Sequence, residues 1–331
     1  MAEDVDCQEG CSTMGMAFLE LPKFHKPPAS SLWSSAIHVD PADSHWAMGF
    51  EWDAEGCAEG GCYPLCVECG DPERPVKTPN VDASRVACFP YQIYVADWCN
   101  TFSSEGRAYE LYREKMLRRL QQAQVGALEC FFSSGSCNET MTKADLCDPE
   151  AEPIELPHCA LNGPTAVCPP EITEPIQPMD ALCALVNELC GCPTGIGMIH
   201  APSFLVGKWF DSNVLEVVDV DYNADGWFPG DTGGRRRVII EKIGGNIVVP
   251  GCGYSGAGPE GQPDQEDAEC LIWAYATSMV CLAVGEPVVY DAVKYEVNAY
   301  YAVAERVVAA TFDPCCHAAI PVNICSKGCC C

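Results

Sequence analysis

The chain has 331 residues, of which 48% are apolar, and its 47 acidic and 19 basic residues give a net charge of −28. This length and apolar content are enough for a full core, so the composition excludes a disordered protein. The excess of acidic residues argues against a protein that binds phosphates. The lack of an 18-residue apolar run argues against a membrane span. The sequence therefore predicts no specific nucleic-acid recognition and no membrane partner.

Residues 1–100 are rich in cysteine, proline, glycine and acids without a sustained helical period, which predicts an extended arm and loops with short strands. Four cysteines follow closely in this region: Cys57, Cys62, Cys66 and Cys69. Four thiolates are enough for a tetrahedral zinc site, and the C-x2-C spacing of the last two is the usual half-site. Because the first half is not standard, disulfides or free thiols are the alternative to zinc.

Residues 105–132 form the best predicted helix, with Ser104 as the N-cap candidate and Gly135 as the stop. Its length would be about 42 Å at 1.5 Å per residue, which is typical of the central rod of a domain. We expect its apolar stripe to pack under a β-sheet and its arginines to face solvent or a neighbouring molecule. The predicted stripe comprises Ala108, Tyr112, Met116, Leu120, Ala123, Ala127 and Phe131.

Residues 148–178 contain eight prolines and no period, which predicts a long surface connection. A shorter helix follows and ends at Gly191, with a strand predicted at residues 197–200 and a short helix after Pro202. The apolar face of the first of these helices comprises Leu182, Leu185, Val186 and Leu189.

An acidic segment with Asp221, Asn223, Asp225 and Gly226 copies the first half of a calcium-binding loop. The twelfth position is Thr232, where such a loop needs a bidentate glutamate. We therefore interpret the segment as an acidic turn.

The remainder is predicted to be mostly β structure, which together with the helices makes an α+β fold. Residues 237–243 and 247–249 flank a Gly-Gly-Asn turn, which predicts a hairpin. Further strands are predicted at residues 271–276, 280–284, 287–290 and 302–311.

The 25 cysteines are the most unusual feature of the composition. Such density is typical of short secreted disulfide scaffolds, whereas this chain is long and starts with acidic residues where a secretory signal would be basic. Assembly in the cytoplasm followed by release into an oxidising medium reconciles these observations. We expect late-forming disulfides or metal links that involve the cluster at residues 57–69 and the tail residues Cys329, Cys330 and Cys331.

The sequence contains no catalytic signature: it lacks the G-x-S-x-G elbow, the H-E-x-x-H helix and the phosphate-binding loop. We therefore predict that the protein is not an enzyme and needs no cofactor, with zinc as the open alternative. The histidines are scattered along the chain and are interpreted as surface or packed residues: His25, His38, His45, His158, His200 and His317.

Four blocks in the second half of the chain resemble, in their order and residue pattern, the major capsid proteins of tailed bacteriophages. These blocks are Ala181–Ser203, Val238–Glu260, Leu271–Val280 and Tyr301–Asn323. The resemblance implies the tailed-phage capsid fold, which encapsulins share. It implies an N-terminal arm and extended loop at residues 1–100, a peripheral domain with the long spine helix at 101–177, an axial domain at 178–300, and a return to the peripheral domain with a C-terminal tail at 301–331.

The function implied by this resemblance is that of a structural subunit of an icosahedral head shell that encloses the phage genome. The partners would be further copies of the chain, in pentamers and hexamers, and other virion proteins. The location would be the virion, after assembly in the host cytoplasm. The alternatives are another virion component, such as a tail or decoration protein, and a cysteine-rich metal-binding or redox protein.

Overall fold

The fold is that of a computed structural model, which describes residues 31–39, 50–53, 85–88, 90–99, 106–134, 160–161, 175–192, 195–220, 236–241, 245–251, 253–254, 258–259, 271–294 and 299–324. The helices within these ranges are α1 (Leu32–Ser35), α2 (Gly106–Ser134), α3 (Pro178–Gly191) and α4 (Ser203–Asp211). The strands are β1 (Ile37–Val39), β2 (Phe50–Asp53), β3 (Arg85–Cys88), β4 (Tyr91–Cys99), β5 (Met198–Pro202), β6 (Leu215–Val220), β7 (Arg236–Glu241), β8 (Ile247–Gly251), β9 (Leu271–Thr277), β10 (Cys281–Val284), β11 (Val288–Lys294), β12 (Ala299–Thr311) and β13 (His317–Asn323).

A five-stranded sheet is built around β12, the longest strand. One edge of β12 pairs antiparallel with β4, and the other edge pairs with β11 and β10 in succession. Strand β1 then adds in parallel to β10. One face of this sheet packs against α2, so the long helix lies under a β-sheet as its apolar stripe predicts.

A six-stranded mixed sheet has the order β13-β9-β5-β8-β7-β6. The chain leaves this sheet after β9 to build β10, β11 and β12, and returns to it with β13, which pairs antiparallel with β9. Strands β2 and β3 form a two-stranded antiparallel sheet. The chain passes between the two sheets more than once, so the strand pairing does not mark the predicted domain limits at residues 100, 177 and 300. These limits stay a prediction.

Strands β5, β8 and β9 of the six-stranded sheet bury side chains on both faces, so that successive residues enter two different cores. On β5, Met198 joins the core shared with α2 and the five-stranded sheet, whereas Ile199 joins the core under α3 and α4. Strand β9 alternates in the same way, with Tyr275 in the first core and Ala276 in the second. The six-stranded sheet is therefore the middle layer of the molecule.

The long helix is confirmed, but its buried stripe differs from the predicted one in the second half. Met116 and Leu120 are buried as expected, whereas Ala123 is exposed and the neighbouring Gln124 is fully buried. The predicted stripe did not include Gln124, whose amide needs a hydrogen-bond partner when it is buried. That partner is Arg306, which lies 182 residues further along the chain.

The remaining predicted helices and strands agree with the structure, and the α+β fold is confirmed. The predicted surface connection 148–178 lies mostly outside the described residues, and its residues Ala160 and Leu161 are buried. The four apolar residues predicted for α3 are buried, and the helix ends at Gly191. The predicted hairpin is β7–β8, in which Ile239 lies opposite Val248. Several sequence predictions lie outside the described residues: the cysteine cluster 57–69, the acidic turn 221–226, the tail after residue 324, the cap Ser104 and the stop Gly135.

Candidate functional site

Two histidines that are far apart in the sequence lie in one buried cluster. His200 and His317 are packed around the rings of Phe132 and Phe312, which meet edge to face. Burial lowers the pKa of His200 to about 3 and that of His317 to about 4, so both imidazoles are neutral at pH 7. The sequence had indicated scattered histidines, because their proximity depends on the pairing of β5 with β9 and of β9 with β13.

Both ring nitrogens of His200 are engaged. Nδ1 lies 2.9 Å from the hydroxyl of Tyr254, and Nε2 lies 2.8 Å from Oγ1 of Thr277. The Thr277 hydroxyl donates its proton to the carbonyl of Ser278, so it accepts from Nε2, and Nδ1 accepts from Tyr254. A fully buried ring with both nitrogens occupied cannot exchange protons with a substrate, which makes this cluster structural.

Glu129 on α2 links two other segments to the helix. Its carboxylate is buried and accepts the backbone N–H of Leu32 through Oε1 and that of Gly253 through Oε2, both at 3.1 Å. Leu32 is the first residue of α1, where a backbone N–H has no partner within the helix. The carboxylate thus fixes both the segment at residues 31–39 and the loop after β8 against α2.

Arg306 on β12 forms a second polar link in the core. Its Nη1 donates to Oε1 of Gln124 at 2.9 Å, and its guanidinium carbon lies 5.8 Å from the ring centroid of Trp33. Burial lowers the pKa of Arg306, but an arginine remains charged at neutral pH. These contacts position α1, α2 and β12 relative to one another and hold no exposed reactive group.

The face of the five-stranded sheet turned away from α2 exposes large side chains. Because β-strand side chains alternate, burial of Ile93 and Tyr300 on the α2 side places Trp98 and Tyr301 on the opposite side. Their rings stack with centroids 6.2 Å apart. The outer aromatic face comprises Tyr94, Trp98, Val288, Tyr290 and Tyr301, each 39–56% exposed.

This outer aromatic face is contiguous across three strands. Trp98 on β4 lies opposite Tyr301 on β12, and Val303 on β12 lies between Ala96 and Tyr290. The exposed parts of the large side chains sum to roughly 400 Å², a size that marks interaction sites on soluble proteins. The alternation of β4 could have indicated this face in the sequence, but the region was assigned to the arm.

The expectation of disulfides is confirmed at a pair that the spacing had not singled out. Cys192 after α3 is bonded to Cys316 before β13, with the two Cα atoms 5.7 Å apart. Cys88 and Cys315 each take part in a further disulfide. In the part of the chain that the structure describes, no group of three or more His, Cys, Asp or Glu side chains could hold a metal ion.

No described helix is long and apolar enough to cross a membrane.

No family model and no curated protein matches the sequence. Among solved structures, the capsid of Ralstonia phage GP4 matches at a TM-score of 0.50 and 12% identity, covering 96% of this chain and 98% of its own. The chain has a phage capsid fold. The capsid of an empty GTA particle matches with a TM-score of 0.48, 12% identity and coverage of 95% and 97%. Mycobacterium phage Adephagia matches with a TM-score of 0.44, 12% identity and coverage of 94% and 92%.

At this identity, the likeness to a phage capsid fold lies in the arrangement of elements. It extends over nearly the full length of both chains.

Proposed function

We propose that the protein is a structural subunit that assembles with copies of itself into the head shell of a phage. The observation that carries the proposal is the phage capsid fold, shared with the capsid of Ralstonia phage GP4 over 96% of the chain. The subunit would be part of the virion, would assemble in the host cytoplasm into pentamers and hexamers, and would contact other virion proteins. Its role would be structural and not enzymatic.

The proposal extends to the domains of a capsid subunit. Helix α2 would be the spine helix of a peripheral domain at residues 101–177, residues 178–300 would form the axial domain, and residues 301–331 would return to the peripheral domain. Residues 1–100 would supply an arm and an extended loop that reach neighbouring subunits, except for β4, which belongs to the five-stranded sheet. The links from Glu129 and Arg306 to residues 31–36 support this assignment, because they anchor the base of the arm on the spine helix.

The outer aromatic face is the surface that we assign to contact between copies. Truncating both Trp98 and Tyr301 to serine removes their exposed ring area, which is worth at most about 4 kcal/mol per contact at 25 cal/mol per Å². Both rings are partly exposed on the outer side of the sheet, so the change leaves the core intact. Assembly should therefore suffer much more than folding.

The test compares the W98S/Y301S variant with wild type and with A96S, a change on the same face that removes no ring. Sedimentation velocity would measure the fraction of protein in particles at increasing concentration. We expect the concentration needed for particles to rise at least 10-fold for W98S/Y301S and to stay within 2-fold for A96S, with both variants folded by circular dichroism. Unchanged assembly of W98S/Y301S would remove this face from the proposal.

A zinc ion held by Cys57, Cys62, Cys66 and Cys69 is a separate proposal, supported only by the C-x2-C half-site and the number of thiolates. Metal analysis of the purified chain tests it. A stoichiometric zinc content that is lost when Cys66 and Cys69 are changed to serine would support it. Metal-free protein with these cysteines in disulfides would contradict it.

A further inference from the structure

Helix α3 carries two exposed thiols on one stripe. Cys183 and Cys190 are free and exposed, in line with the exposed Asp180 and Asn187 on the face turned away from the six-stranded sheet. Seven residues separate the two thiols, which corresponds to about 10 Å along the helix. The opposite face of α3 supplies all of its core packing, so these cysteines are not needed as small buried hydrophobes.

The structure also shows where the C-terminal tail begins. The amide of Asn323, the last residue of β13, donates to the carbonyl of Ile176 at 2.8 Å, two residues before α3 starts. Lys208 Nζ on α4 donates to the carbonyl of Ile324 at 2.9 Å. The tail after Ile324 therefore starts beside the N-terminus of α3 and beside α4.

The other end of β13 is fixed to the other end of α3. The disulfide between Cys192 and Cys316 joins the residue after the helix to the residue before the strand. Helix α3 and strand β13 therefore lie side by side and run in opposite directions. The exposed face of α3 is therefore within the direction open to a tail that turned back after β13.

The tail is long enough to reach both exposed thiols. Seven residues follow Ile324, and four of them are cysteines. Extended, seven residues span at most about 24 Å. Cys183 lies about 8 Å and Cys190 about 18 Å along the axis from Pro178 at the start of α3, measured at 1.5 Å per residue.

The last three tail residues, Cys329, Cys330 and Cys331, need partners outside their own run. Consecutive Cα atoms are about 3.8 Å apart, whereas disulfides need about 4.4 Å or more, so neighbouring cysteines do not readily bond to each other. Thiols on the same chain within reach of a short tail have an effective concentration in the millimolar range. The thiols on α3 meet this condition.

We propose that Cys183 and Cys190 form disulfides with two of the cysteines at residues 329–331 of the same chain, which fastens the tail along α3. The oxidant is a small-molecule disulfide such as oxidised glutathione. One protein thiolate attacks it and releases one glutathione thiol, and the second protein thiol then displaces the other glutathione. Each protein disulfide thus forms as two thiols lose two protons and two electrons, and one glutathione disulfide becomes two thiols.

The experiment uses the purified, unassembled full chain, so its outcome does not depend on whether the protein forms shells. The chain is oxidised with oxidised glutathione, alkylated, digested without reductant and examined by mass spectrometry. We expect the peptides with Cys183 and Cys190 to be joined to the C-terminal peptide and to lose their alkyl label. The half-buried Cys281, whose pKa is raised by burial, is the control thiol and should be alkylated to the same extent before and after oxidation.

Two variants make the result decisive. Deleting residues 325–331 should restore full labelling of Cys183 and Cys190, and C183S/C190S should free two further tail cysteines. Equal labelling of the α3 thiols with and without the tail would overturn the proposal. So would cross-links between two copies, seen as a dimer on non-reducing gels whose fraction rises with protein concentration.

Discussion

The carboxylate of Glu129 should be one of the most sensitive single positions for folding. It is 1% exposed and accepts two backbone N–H groups, from Leu32 and Gly253, each at 3.1 Å. Replacing Glu129 with glutamine keeps the size of the side chain but leaves one acceptor oxygen in place of two. One backbone N–H then faces an amide NH2 group, and a buried donor loses its partner.

The expected loss of stability follows from the free energy that such hydrogen bonds contribute. A hydrogen bond to a charged group contributes about 1.5–3 kcal/mol, so Glu129→Gln should lower the free energy of unfolding by about 2 kcal/mol. Glu129→Leu removes both acceptors and should cost about 4 kcal/mol. Glu114→Gln is the matched control, because Glu114 is exposed on the same helix and its change should stay within about 0.5 kcal/mol.

Urea unfolding of the unassembled subunit, followed by circular dichroism, measures these differences from the midpoint at constant slope. Hydrogen exchange adds a local readout, since the amides of Leu32 and Gly253 should exchange faster in both variants than in wild type. A Glu129→Gln protein with wild-type stability and unchanged exchange at these two amides would refute the assignment of the carboxylate as their anchor.

Two other predictions concern stability. The pKa values of about 3 for His200 and about 4 for His317 lie below the usual value of 6.5. Between these values the unfolded chain binds more protons than the folded chain. The stability that comes from the two neutral histidines is therefore fully present above pH 6.5 and is lost as the pH falls towards 4. The free energy of unfolding should fall by roughly 2.5 kcal/mol per pH unit between pH 6 and 5, and a flat profile from pH 7 to 5 would contradict the buried, neutral state of the histidines. Gly253→Ala should destabilise the subunit, because the added Cβ would lie 2.5 Å from the carbonyl oxygen of Gly126. In Gly126→Ala the added Cβ would point into open space, so this change should stabilise the helix by about 0.5–1 kcal/mol. Thermal unfolding of both variants checks this pair, and equal shifts would argue against the close approach of the loop to α2.

Local patterns predicted the elements whose side chains follow one period. The hairpin β7–β8, the strands β9 to β12 and the apolar face of α3 could be read from the sequence, because each alternates or repeats within a short window. The capsid fold itself was indicated by the order of four blocks. Boundaries differed by a few residues, as β11 and β12 extend beyond their predicted limits.

The misses have two causes, dependence on distant residues and local composition that favours another structure. Gln124 is buried because Arg306 arrives from β12, and no pattern within α2 reveals that contact. Strand β13 contains Pro321, which disfavours a central strand but is tolerated at the edge of the six-stranded sheet. Strand β4 does alternate, but its surroundings rich in cysteine and proline led to its assignment to the arm.

The central claim is that copies of this chain build a shell. Electron microscopy of the expressed wild-type protein, alone and together with the proteins encoded beside it, tests the claim most directly. We expect closed particles whose walls consist of this chain, with five-fold and six-fold rings. A stable monomer at high concentration that forms no particles under either condition would contradict it.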